Sequence, residues 1–200
     1  MDMEKTVSTD FRIVEEPRKP LAMNPKKFAL WLFIATVVML FAALTSAYIV
    51  KRADGSWREF DLPGIFVYST LAVVLSSITM QGAYWAAKKD NLDTTKWLVV
   101  ATSVLGVIFL IGQVLGWGKL VTEGVYFAGG NTSESFVYLL TGLHGLHLVS
   151  AIVFLGIVLV AVFRFKVHSR SLNQIEMCVT YWHFLGVLWI YLYIFMLNFR

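Results

Sequence analysis

The chain alternates between long apolar runs and short polar clusters. Five runs contain no Asp, Glu, Lys or Arg. They lie between Lys27 and Lys51, Asp61 and Lys88, Lys96 and Lys119, Glu134 and Arg164, and Glu176 and Arg200. Each is longer than the ~20 residues a helix needs to cross the ~30 Å hydrocarbon core of a bilayer. The pattern predicts spans over about 28–50, 63–87, 97–118, 136–163 and 177–199. The expected fold is therefore all-α: a polytopic membrane protein with a five-helix transmembrane domain at residues 28–200. Pro63 suits the first turn of the second span, where its missing N–H would be unpaired anyway. In the third span Gly112-x-x-x-Gly116 has a spacing that lets a second helix approach closely. Gly129-Gly130 breaks the connection before the fourth span. Asn131 followed by Glu134 has capping-box spacing and would start that span. The fourth run is longer than a perpendicular crossing requires, so it should tilt or project beyond the bilayer.

Residues 1–27 break the pattern. They are polar and mixed in charge, carry Pro17, Pro20 and Pro25, and lack the apolar core of a signal peptide. They read as a flexible cytoplasmic tail that ends at the membrane surface on Lys26 and Lys27. Five spans put the two termini on opposite sides. With the N-terminus inside, the inner segments hold 12 of the 17 Lys and Arg: six in the tail, three in 88–96 and three in 164–176. That bias predicts a cytoplasmic N-terminus and a periplasmic C-terminus. The overall composition, 58% hydrophobic and 15% charged, agrees with the spans. The net charge of +4 is too small to suggest nucleic acid as a partner. Cys178 is the only cysteine and sits in an apolar run, which excludes an intrachain disulfide and any cysteine-based zinc or iron–sulfur site.

Candidate chemistry is confined to the few polar groups inside the runs: Gln81, Gln113, His144, His147 and His183, with Tyr and Trp beside several of them. His144 and His147, at i and i+3, should share one helix face and point into protein. Neutral imidazoles ligate haem iron and other metals, so a haem-binding membrane cytochrome is one reading. Two histidines one turn apart do not serve two separate haems, and the spans lack the carboxylates of a di-iron bundle. The plainer reading has each ring hydrogen-bonding between packed helices. A small transporter is a third reading, weakened by the missing intramembrane carboxylate and the absence of an internal repeat. Arg164, Lys166 and His168, with Arg170, form a basic cluster after the fourth span. It serves either as a topology determinant or as a seat for anionic lipid headgroups.

Two motifs resemble subunit III of the haem–copper respiratory oxidases (cytochrome c oxidase polypeptide III). Thr141-Gly142-Leu143-His144-Gly145-Leu146-His147 is similar to its TG-x-HG-x-H signature. Tyr181-Trp182-His183-Phe184, with Glu176 before it and Trp189 after it, is similar to the E-x4-YWHF…W signature of its last helix. Weaker matches are Leu32-Phe33-Ile34, Ala47-Tyr48, Leu75-Ser76-Ser77 and Gln113, so the resemblance runs over about residues 28–199. Five spans resemble the shorter bacterial form. The resemblance implies a multi-pass subunit of the bacterial inner membrane with no haem, copper or catalytic centre of its own. The cofactors would lie in partner subunits. The chain would pack chiefly on subunit I, in a complex with subunit II and smaller subunits. It would bind phospholipid through Arg164, Lys166 and His168, and support proton uptake. His144, His147, His183, Gln113, Tyr181 and Trp182 would be its structural intramembrane polar groups. The electron donor, cytochrome c or quinol, is left open, and related accessory proteins accompany nitric oxide reductases. The chain departs from the family pattern where carboxylates are common: Val37 follows Thr36, Gly116 stands three residues after Gln113, and Leu185-Gly186 follows the YWHF motif. Roles that rest on those carboxylates do not carry over with the motifs.

Overall fold

The computed structural model describes residues 24–53, 57, 60–128, 131–163 and 172–199. These form five α-helices, α1 (Pro25–Arg52), α2 (Ile65–Lys88), α3 (Leu92–Thr122), α4 (Thr132–Phe163) and α5 (Asn173–Phe199), with no strand among the described residues. All five are long and apolar enough to cross a membrane. The all-α, five-span architecture expected from the charge-free runs is the one found. The basic cluster Arg164, Lys166 and His168 and tail residues 1–23 lie outside the described residues.

The helices overrun the predicted spans because capping chemistry, not the nearest charge, sets their ends. α1 begins at Pro25, so residues 25–27 belong to the helix and not to the tail. Asn24 caps it by accepting the Lys26 N–H (3.0 Å), and Pro25 fits the first turn. α3 begins at Leu92, five residues before the expected 97, with the Asn91 side chain accepting from Thr94 N–H (3.2 Å). Pro63 was expected inside α2 but precedes it. Its carbonyl accepts from Phe66 N–H in the turn that leads into Ile65. Two helices close with the same C-terminal motif. After α2, Asp90 adopts φ +54°, and Asn91 N–H returns to Ala86 O (3.0 Å). After α3, Gly124 adopts φ +79°, and Val125 N–H returns to Leu120 O (3.0 Å). In both cases the left-handed residue turns the chain so that the last free carbonyls are satisfied. Asn91 thus ends one helix and caps the next, which folds α2 and α3 into a tight antiparallel pair.

α2, α3, α4 and α5 form a closed ring in which each helix packs on its two neighbours, and α1 lies outside against α4 and α5. The closest approach is between α2 and α3, and the glycines allow it. A Cβ at Gly112 would collide with Ser69 Oγ, and one at Gly116 with the Phe66 ring. The Gly112-x-x-x-Gly116 spacing therefore does what it predicted, against α2. The core is centred on α5, where Leu185, Trp189 and Leu192 are fully buried. A span leaves lipid, not water, when it packs, so its stabilisation rests on close packing and interhelical hydrogen bonds more than on apolar area removed from water.

One ion pair ties α1 to α5: Lys27 Nζ lies 2.8 Å from Glu176 Oε2. Its side chains are 30% and 42% exposed, and exposed pairs contribute about 0–1 kcal/mol. Lys27→Met is therefore expected to lower thermal stability by less than ~1 kcal/mol. A larger loss in a melting experiment would show that the pair is desolvated in the assembled protein.

Candidate functional site

α5 carries a ladder of polar side chains, each of which finds a partner on another helix. Trp182 Nε1 donates to Ser76 Oγ and Trp189 Nε1 to Thr70 Oγ1, both at 3.0 Å and both toward α2. His183 Nε2 donates to Gln81 Oε1, also on α2, at 3.0 Å. Tyr181 turns the other way, to α4, where its hydroxyl lies 2.8 Å from Ser150 Oγ and 3.2 Å from the His147 carbonyl. Tyr191 donates to Thr45 Oγ1 on α1 (3.2 Å), and Tyr48 returns from α1 to the Phe199 carbonyl (3.2 Å). Ring helices other than α5 are joined in the same way. Thr79 and Thr102 pair between α2 and α3 at 2.8 Å, and Trp117 Nε1 donates to Thr141 Oγ1 between α3 and α4 at 3.0 Å. Such bonds are worth roughly 0.6 kcal/mol each in a membrane, with ~1.7 as an upper value. Singly they are weak. As a set they fix the register of α5 against three other helices.

The histidines do not act as one group. His183 makes the interhelical hydrogen bond expected of it. His147 is half-buried; its Nδ1 donates to Leu143 O within α4 (2.7 Å), so the expected interhelical bond is replaced by one inside its own helix. Its ring rests on Phe33 and Phe41 of α1, with centroids 6.2 and 5.9 Å away. His144 is 1% exposed, and neither ring nitrogen has a hydrogen-bond partner. It lies between Phe109 of α3 (5.8 Å) and Trp189 of α5 (5.2 Å). The shared face expected from the i, i+3 spacing is therefore split: His147 looks to α1 and His144 into the ring. A separation of three residues is about 300° around a helix, and that difference suffices where five helices crowd together. Gln113 is likewise buried, at 2% exposure, with its amide unpartnered.

Sequence reasoning missed one buried carboxylate. Glu134 is 1% exposed, and its Oε2 accepts from Tyr126 N–H (3.0 Å) across the connection between α3 and α4. Because Glu134 bounds a charge-free run, it reads as a solvated flank. The signal that it folds inward is the adjacent apolar loop Val125-Tyr126-Phe127. The hydroxyl partners Thr45, Thr70 and Thr102 also went unseen, since an isolated threonine in an apolar run carries no pattern. Among the described residues no three His, Cys, Asp or Glu side chains come together in a way that would hold a metal ion.

Five membrane-length helices joined by interhelical hydrogen bonds define a polytopic helical membrane protein. Residues 18–199 match the family described as cytochrome c oxidase subunit III, and the chain belongs to that family. The chain is 30% identical to a cytochrome c oxidase subunit 3 of Corynebacterium diphtheriae, over 81% of this chain and 82% of that one. It is 28% identical to a probable quinol oxidase subunit 3 of Staphylococcus saprophyticus, over 85% and 87%. It is 25% identical to the cytochrome bo(3) ubiquinol oxidase subunit 3 of Buchnera aphidicola, over 88% and 95%. The chain is thus a multi-pass bacterial membrane protein and a subunit of a haem–copper oxidase, associated with other oxidase subunits. The resemblance read from the two motifs is the family found.

Proposed function

We propose that this chain is the non-catalytic subunit III of a proton-pumping cytochrome c oxidase, in which it stabilises the catalytic subunit, binds lipid and supports proton uptake. The observation that carries the non-catalytic part is the dispersal of the histidines. His144 faces Phe109 and Trp189, His147 faces Phe33 and Phe41, and His183 is engaged by Gln81, so their nitrogens do not converge on one centre. Haem and copper would sit in partner subunits, with subunit I the main contact and subunit II and smaller chains beside it. Lipid enters through the family resemblance, with headgroups at Arg164, Lys166 and His168. Two apolar grooves of about 410 Å³ flank α5 and offer room for acyl chains. The charge bias among loops supports a cytoplasmic N-terminus in the inner membrane. Cytochrome c as donor is supported by the similarity to the cytochrome c oxidase subunit 3 of Corynebacterium diphtheriae; quinol is the alternative, supported by the staphylococcal relative.

Gentle detergent extraction of the tagged chain tests this reading, with a reduced-minus-oxidised spectrum and identification of the co-purifying polypeptides. The expected result is a haem spectrum that follows a large partner and is lost when the chain is isolated alone. The extracted complex should reduce oxygen with reduced cytochrome c in preference to a quinol. Haem retained by the isolated chain would overturn the non-catalytic assignment, and a preference for quinol would overturn the donor.

A further inference from the structure

The four-helix ring is braced across one diagonal and not visibly across the other. α3 and α5 meet directly through large side chains: the Trp182 ring fills the space beside Gly106, where an added Cβ would come within 2.7 Å of it, and Trp189 stacks edge-on to Phe109 at 4.9 Å. α2 and α4 have no close backbone approach. Between them lies a small cavity of about 10 Å³, lined by Ser76 of α2 and His144 of α4 among apolar neighbours that include Phe109, Trp182 and Leu185. Two facts about the polar lining matter. His144 is 1% exposed with both ring nitrogens unpartnered. Ser76 is 1% exposed; its hydroxyl donates to Val73 O (2.7 Å) and accepts from Trp182 Nε1 (3.0 Å). A hydroxyl has one donor and two acceptor sites, so one acceptor site of Ser76 Oγ remains. A neutral imidazole has one N–H and one bare nitrogen.

We propose that this cavity holds one ordered water molecule, hydrogen-bonded to a ring nitrogen of His144 and to Ser76 Oγ, which bridges α4 to α2 across the ring. The space is about the volume of one water-sized sphere, the least that admits a water. The site is polar, and the hydrogen-bond valences match. The water donates one proton to the open lone pair of Ser76. With its other groups it either accepts the imidazole N–H or donates to the bare nitrogen. The driving force is the cost of leaving a buried imidazole unpaired, which the surrounding lipid cannot relieve as solvent would. The glycines explain why the space exists. Gly106 lets the Trp182 ring swing against α3. Gly186, where a Cβ would stand 3.1 Å from Ser77 Oγ and 3.3 Å from Val73, lets α2 and α5 close around the cavity without filling it. The bridge joins the TG-x-HG-x-H segment of α4 to the tryptophan of the YWHF segment through Ser76, so the two motifs meet through one solvent molecule.

The test is a density map of the intact complex at a resolution that shows ordered waters. If the chain purifies alone, the same map of the isolated chain serves, so the result does not depend on the subunit assignment. The expected result is a peak within hydrogen-bond distance, about 2.7–3.2 Å, of both a His144 nitrogen and Ser76 Oγ. The peak should be lost in Ser76→Ala. An empty cavity, a peak that touches only one of the two residues, or a His144 ring whose nitrogens bond protein groups directly would overturn the proposal. A double-mutant cycle gives a second readout: His144→Phe and Ser76→Ala together should cost less thermal stability than the sum of the two alone, because each removes the same bridge. Strict additivity counts against the bridge. Where His144→Phe fails to assemble, the map of the native protein decides.

Discussion

Replacing Gly116 with leucine is expected to separate α2 from α3 and to lower the amount of assembled chain several-fold. Even a single added carbon at this position would strike the Phe66 ring, and Ile65 Cγ2 would stand 3.2 Å away. Phe66 cannot withdraw. It is fully buried, and the Trp189 ring packs edge-on against it with centroids 6.1 Å apart. The helices must therefore part, and parting also forfeits the contact one turn away, where Gly112 meets Ser69. Overpacking a tight core costs about 1–3 kcal/mol, and the four carbons of leucine against a wedged ring place this change at the upper end. Helix propensity acts the other way, since leucine is favoured over glycine by roughly 0.7–1 kcal/mol in a helix interior. The clash exceeds that gain. Gly118→Leu separates the two effects: it lies on the same helix, is exposed, and has nothing within 4 Å of the added Cβ. It should leave the chain's abundance in membranes unchanged or slightly raised. A loss at 118 equal to that at 116 would mean that helix geometry, and not the approach of α2, is what the glycines protect. Losses of 1–2 kcal/mol already change cellular abundance several-fold, so quantitative immunoblotting of membranes is sensitive enough.

The architecture is legible from charge spacing alone, because lipid forbids unpaired backbone and so allows few solutions to five long apolar runs. Helix ends are less legible. The runs were cut at the first charge, whereas Asn24 and Asn91 cap their helices before Lys26 and Asp93, so those charges fall inside the first turns. Asp90 in the left-handed region carries no signature a reader would choose over glycine, yet it closes α2 as Gly124 closes α3. The functional residues divide along similar lines. The motifs identify the family, and the tyrosine and tryptophans of α5 stand out by type. Which way each histidine faces depends on where three neighbouring helices lie, and that is long-range information. The emphasis also shifts from α4 to α5. The fourth run is the longest and most apolar, but the fifth is the more deeply enclosed helix, because aromatic residues with polar tips can bond to several partners at once.

Trp189 should be the most costly side chain to truncate. It is fully buried and touches the rings of Phe66, Phe109, His144 and Tyr193, while its Nε1 donates to Thr70 Oγ1. In soluble proteins Phe or Trp→Ala costs about 3–5 kcal/mol, which combines a transfer term with a cavity term. A span that leaves lipid has little transfer term to lose. The cavity and the broken aromatic contacts remain, and they set the expected cost of Trp189→Ala at roughly 2–4 kcal/mol. Trp189→Phe divides packing from hydrogen bonding. It keeps a ring against Phe66 and Phe109, and removes three ring atoms, the N–H among them, so a smaller void remains. Thr70 stays satisfied as a donor, because its hydroxyl already bonds the Phe66 carbonyl at 2.8 Å. The phenylalanine variant should therefore lose about 1–2 kcal/mol, one interhelical hydrogen bond plus the smaller void, and less than the alanine variant. Heating the detergent-extracted protein and following retention of the chain in the complex measures both. A phenylalanine variant as damaged as the alanine one would mean that the α5–α2 hydrogen bonds, and not aromatic packing, hold the ring closed. The ladder from Trp182 to Trp189 would then be the principal stabiliser of the fold.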